Sequence, residues 1–73
     1  DLINERGSKL VALNAANEAV VKLFLLGKIN YLDIYKIIKK SVDEIKYIQY
    51  PSLEEILSID EFIKNNIEGM FKL

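Results

Sequence analysis

The sequence predicts an all-α protein, a small helical bundle that fills a single domain, residues 1–73. Three observations carry that prediction. Residues 13–26 are apolar on nearly every side. Short serine- and asparagine-led helix-start signals recur through the second half. The one stretch with strand-like alternation, Tyr47-Ile48-Gln49-Tyr50, is too short and isolated to build a sheet. The expected elements are a truncated first helix, a central apolar helix, a third helix, a one-turn helix and a C-terminal helix. Their short connections imply mostly antiparallel neighbours.

The central helix comes first because the rest depends on it. Its polar residues Asn14, Asn17, Glu18 and Lys22 fall at i, i+3, i+4 and i+8, a single narrow stripe. A helix apolar over the rest of its circumference is expected to be surrounded by others. Ala15, Ala16 and Ala19 would let a neighbouring backbone come close. Asn14 is the expected N-cap, Gly27 the expected left-handed C′ residue, and Glu18 with Lys22 a favourable i, i+4 pair. Ser8 to Ala12 read either as a connecting loop or as an early start of this helix capped by Ser8, and the loop is preferred. Residues 1–7 read as the last turns of a helix ending at Gly7, with its beginning missing. The expectation is therefore a domain cut from a longer protein.

Asn30 with Asp33 is a variant capping box, and Ile29 with Ile34 its hydrophobic staple. They open a helix over residues 31–45 whose buried stripe is Ile34, Ile37, Ile38, Val42 and Ile45. Pro51 ends the irregular stretch that follows. Ser52 with Glu55 is a full capping box and starts a one-turn helix, residues 53–57. Ser58 with Glu61 is a second box, with Leu57 and Phe62 as staple. Two start signals so close imply a sharp turn between two helices. Ile59, Phe62, Ile63, Ile67 and Met70 form the apolar face of the last one.

Composition narrows function mostly by exclusion. Hydrophobic residues make up 51% and charged residues 29%, so the chain is globular rather than disordered. Ten Lys/Arg stand against eleven Asp/Glu, which is not the charge balance of a nucleic-acid binder. The longest apolar run, residues 23–26, cannot span a bilayer, and no signal segment opens the chain. With neither Cys nor His, no disulfide or zinc staples the core, and Ser8, Ser41, Ser52 and Ser58 lack the usual base. Absence of Cys fits a cytoplasmic location.

The remaining candidates each have a plainer explanation. Asp43 with Glu44, Glu54 with Glu55 and Asp60 with Glu61 are adjacent carboxylates, which do not face one another on a helix. Tyr31, Tyr35, Tyr47 and Tyr50 could stack bases, but no basic groove accompanies them. Lys36, Lys39 and Lys40 precede Asp43 and Glu44 at i+4 and read as a solvated face. Asn14, Asn17 and Glu18 are the strongest binding candidates, two amides and a carboxylate at a helix start; capping explains them better. Three glycines form no phosphate loop.

One further feature is a resemblance. Leu13-Asn14-Ala15-Ala16-Asn17-Glu18, then Gly27-Lys28-Ile29, Tyr31-Leu32-Asp33-Ile34, Ser52-Leu53-Glu54-Glu55-Ile56-Leu57 and Ile59-Asp60 look like the C-terminal domain of 1-deoxy-D-xylulose 5-phosphate reductoisomerase. The likeness covers nearly the whole chain. It departs mildly at Tyr31, where Phe is common, at Phe62, where Trp is common, and in the order Ala19-Val20-Val21. The resemblance implies a parent enzyme that converts 1-deoxy-D-xylulose 5-phosphate to 2-C-methyl-D-erythritol 4-phosphate in non-mevalonate isoprenoid synthesis. It also implies NADPH and a divalent metal (Mg or Mn) for that enzyme, held in its other domains, and a homodimeric parent. No catalytic, cofactor or metal ligand carries over to these residues, so the chain is expected to be a structural domain, inactive alone, whose partner is the central catalytic domain. The other reading is a free-standing helical module that binds a protein partner through an apolar groove.

Overall fold

The computed structural model describes residues 7–70, and the expected truncated first helix lies outside them except for Gly7. The described residues form three helices, α1 (Ser8–Leu25), α2 (Tyr31–Asp43) and α3 (Leu53–Met70), with no strand among them. The all-α expectation holds. α1 is indeed central: it packs against both other helices, which barely touch each other. The arrangement is thin, 35 × 24 × 16 Å. It is close to a single layer of helices with α1 in the middle, so α1 keeps one side open.

α1 begins at Ser8, six residues ahead of the expected cap at Asn14, and the expected loop of Ser8 to Ala12 is helical. Gly7 starts it. Its φ of +57° turns the chain, and its carbonyl accepts from Leu10 and Val11 N–H at 3.1 and 3.2 Å. Ser8 then fixes the start against the stretch after α2. Its backbone N–H donates to the Ile48 carbonyl (2.8 Å), its hydroxyl donates to the Lys46 carbonyl (2.7 Å), and it accepts from Ile48 N–H (2.6 Å). Such long-range anchoring outranks a local cap signal, because a buried serine and two strand-less backbone segments satisfy one another.

The far end of α1 follows the sequence closely. Gly27 has φ +74°, Gly27 N–H donates to the Phe24 carbonyl (3.0 Å) and Lys28 N–H to the Leu23 carbonyl (2.9 Å), a Schellman turn. Asn30 then caps α2, with its N–H donating to the Asp33 carboxylate at 3.3 Å. Ile29 is buried and Ile34 packs on the core, as the staple requires. α2 stops at Asp43, two residues short of expectation. The Val42 carbonyl in its last turn accepts from Ile45 N–H at 3.2 Å and from the Lys9 ammonium at 2.8 Å. The chain then turns back towards Ser8.

The one-turn helix and the C-terminal helix are a single helix, α3, and Ser58 lies inside it. The reason is a continuous stripe. Ile56, Ile59, Ile63 and Ile67 recur at i, i+3, i+7 and i+11 across the supposed break, and all four are at least half-buried. A second cap cannot compete with burying one unbroken face. The proposed staple is absent, since Leu57 and Phe62 are both exposed. The first box is real: Ser52 N–H donates to Glu55 Oε1 (2.8 Å) and Glu55 N–H to Ser52 Oγ (3.1 Å). Ser52→Ala should therefore cost about 1 kcal/mol by urea unfolding, whereas Ser58→Ala should change stability by less than about 0.5 kcal/mol. Equal losses at both serines would restore the two-helix reading.

The core is Ala12, Ala15, Ala16, Ala19, Val20 and Leu23 of α1 with Ile29, Ile38, Val42, Ile63 and Ile67. Ala15, Ala16 and Ala19, the alanines expected to face a neighbour, are all buried. Of the expected α2 stripe, Ile38 and Val42 are buried and Ile34, Ile37 and Ile45 partly so. Val21, Phe24, Leu25 and Leu26 remain exposed, so the expectation that α1 is surrounded on all sides is corrected. Gly69 sits in the last turn of α3.

Candidate functional site

The strongest binding candidates, Asn14, Asn17 and Glu18, do not cap α1. They lie within it, past its first turn, and all three are exposed. Glu18 also does not turn to Lys22. Its carboxylate accepts from Lys64 of α3 at 2.8 Å, and Lys22 reaches Glu68 of α3 at 3.3 Å. The two charges expected to support one helix instead tie two helices together, because α3 packs beside them and offers partners of the right sign.

Lys64 joins this seam twice, holding Asp60 at 3.2 Å as well as Glu18. Those contacts raise its affinity for the proton above the ordinary 10.5 of a lysine, through the hydrogen bond to Glu18 first and that to Asp60 next. A raised pKa in the folded state means that the stabilisation is fully present below the unfolded value. It is lost as pH climbs through the folded one. Lys64→Met should therefore lower the urea midpoint modestly at neutral pH. The difference from the parent chain should shrink with added salt and again above the ordinary lysine range. A difference that ignores both salt and pH would assign it to packing. Around these charges lies a recess of about 190 Å³ lined by Glu18, Ala19, Lys22, Lys64 and Glu68. Its two carboxylates and two lysines are already paired across the helices.

A second, open groove of about 460 Å³ runs along α2 between Tyr35, Lys36, Lys39, Lys40, Asp43 and Glu44. Lys39 pairs with Asp43 at 3.1 Å, the solvated i, i+4 pattern expected from the sequence. The four tyrosines do not gather into a platform. Each is exposed, and Tyr31 meets the edge of Phe24 with ring centroids 6.4 Å apart. The carboxylate pairs are dispersed, and no group of three His, Cys, Asp or Glu able to hold a metal occurs among the described residues. No described helix is long and apolar enough to cross a membrane. Ser8, the serine least accessible to solvent, spends its hydroxyl on Lys46 and Ile48.

The long-range anchoring by Ser8 and Lys9 is what sequence reading missed. Their partners lie 33 to 40 positions away, so no local pattern could reveal them.

A family model described as the DXP reductoisomerase C-terminal domain matches residues 1–66. Among curated relatives, 1-deoxy-D-xylulose 5-phosphate reductoisomerase of Lachnospira eligens is 47% identical over 65 residues, covering 88% of this chain and 17% of the relative. The protein of that name from Macrococcus caseolyticus is 45% identical over 65 residues, 89% of this chain and 17% of its own length. That of Thermodesulfovibrio yellowstonii is 41% identical over 64 residues, with 88% and 17% covered. The chain thus spans about a sixth of these relatives. No solved structure matches it.

Proposed function

The chain belongs to the family of DXP reductoisomerase C-terminal domains, and we propose that it is the non-catalytic helical support, one domain over residues 1–73, of a larger reductoisomerase. That enzyme would rearrange and reduce 1-deoxy-D-xylulose 5-phosphate to 2-C-methyl-D-erythritol 4-phosphate with NADPH and a divalent metal, in the cytoplasm and as a homodimer. The observation that carries the reading is the match itself: most of this chain aligns with one-sixth of enzymes that bear that name.

The side chains present support a structural role. Among the described residues no cluster of metal-ligand side chains and no glycine-rich phosphate loop occurs. Of the three glycines, Gly7 closes against the Ile48 backbone, Gly27 ends α1 and Gly69 sits in α3, so none forms a phosphate cradle. The carboxylates near one another are held by lysines or by a helix start. On this reading the nucleotide and metal ligands of the proposed enzyme belong to its other domains.

Two assays test this. The 73-residue chain, given 1-deoxy-D-xylulose 5-phosphate, NADPH and magnesium, should leave the NADPH absorbance unchanged. The full-length polypeptide should consume it. Oxidation by the 73 residues alone would overturn the supporting role, and no turnover by the full-length polypeptide would overturn the enzyme.

A further inference from the structure

The outward side of α1 carries a seam unlike a solvent face. Leu10, Asn14, Asn17, Val21 and Phe24 recur at spacings of four, three, four and three, with Leu25 beside the last. Leu10, Val21 and Phe24 are each exposed by 40–43% and Leu25 by 78%, and both asparagines are exposed. α1 has three charged residues, and each is paired with a neighbouring helix. Lys9 binds the end of α2, while Glu18 and Lys22 pair with α3. The seam itself thus holds no charge along an 18-residue helix. A free helix face normally carries charge. Here the spacing is instead that of a helix–helix contact, with two amides among apolar knobs.

The amides add a second indication. Asparagine is a poor residue inside a helix, favoured at caps and turns. Asn14 and Asn17 cap nothing, and they lie side by side on the seam. Their cost is recovered if their amides meet backbone or side-chain groups of a partner, as single polar residues do when they fix register in packed helices.

We infer that the Leu10–Asn14–Asn17–Val21–Phe24 seam is where this domain docks on the rest of its own polypeptide, through a helix that the curated relatives carry outside the residues described here. This rests on the proposed enzyme reading, and the length supports that occupant over others: 83% of each relative lies outside the match. A helix on this seam would turn the thin layer into a bundle with α1 enclosed.

The test uses the full-length polypeptide that contains the domain. Val21→Cys and Asn17→Cys are probes on the seam, and Lys36→Cys is the solvent reference. The 73 residues contain no Cys, so labelled peptides from this region are unambiguous. Under native conditions maleimide should modify Cys at 21 and 17 at least ~10-fold more slowly than Cys at 36, and at equal rates in denaturant. Equal native rates would overturn the inference. Protection that appears only as the polypeptide dimerises with rising concentration would also overturn it, by placing a second copy on the seam. NADPH oxidation by the same samples separates the two levels. An active enzyme with a freely labelled seam refutes the docking alone, whereas an inactive one refutes the enzyme reading.

Discussion

Gly7→Ala should unfold a large part of the population of this chain, with a loss of about 2–5 kcal/mol. Two effects add. Gly7 has φ +57° and ψ −130°, a conformation that L-residues rarely adopt. A Cβ there would also run into the Ile48 carbonyl oxygen and come within 2.7 Å of the Gln49 carbonyl oxygen. Neither neighbour is a flexible side-chain tip. Ile48 is held by two hydrogen bonds to Ser8, so the backbone cannot yield without releasing the start of α1. A core of this size rarely supplies more than about 3–5 kcal/mol, so the loss approaches the whole. D-alanine at the same position is the control for both causes, because its Cβ takes the place of the other α-hydrogen and leaves the Ile48 and Gln49 carbonyls clear. The mirror image of φ +57°, ψ −130° is an ordinary extended conformation, so a D-residue is at ease there. Circular dichroism during urea unfolding of the synthetic chains should rank glycine and D-alanine close together and L-alanine far below. Equal losses for both alanines would overturn this account, since the D-residue escapes both the strain and the contact.

This same junction marks the limit of what the sequence discloses. Features set by neighbours in sequence were legible: the Gly27 turn, the Asn30 and Ser52 caps, the close-packed alanines and the central place of α1. Each is local physics, a left-handed glycine, a short polar side chain before a helix, or small residues on one face. Misreadings arose where a distant partner intervened. Asn14 was read as a cap because nothing local shows that Ser8 has Lys46 and Ile48 to hold it. Glu18 and Lys22 satisfy the i, i+4 rule, yet α3 supplies both with partners. Ser58 has the full signature of a helix start, but a stripe from Ile56 to Ile67 runs through it. The candidate site shows the same division. Asn14, Asn17 and Glu18 stand out in the sequence as a polar stripe on an apolar helix, but that Glu18 pairs with Lys64 depends on where α3 packs.

Leu23→Ala should show whether the domain supports the enzyme or takes part in its chemistry. Leu23 is fully buried in the core and lies in the last turn of α1. Removing its branched end leaves a cavity among residues that can collapse only partly, at a cost of about 3–5 kcal/mol. The loss should appear in the full-length polypeptide as a lower thermal midpoint or as an early transition of this domain alone. The turnover number and KM of the molecules that remain folded should change by less than about 2-fold, because no reacting atom is near this residue on the proposed reading. Assays at low temperature, with the folded fraction measured on the same sample, separate the two quantities. A fall in turnover number with the midpoint unchanged would sink the supporting role and place this helical layer within the catalytic cycle. A lower midpoint with normal turnover is what a scaffold gives: stability is set here, and catalysis elsewhere in the polypeptide.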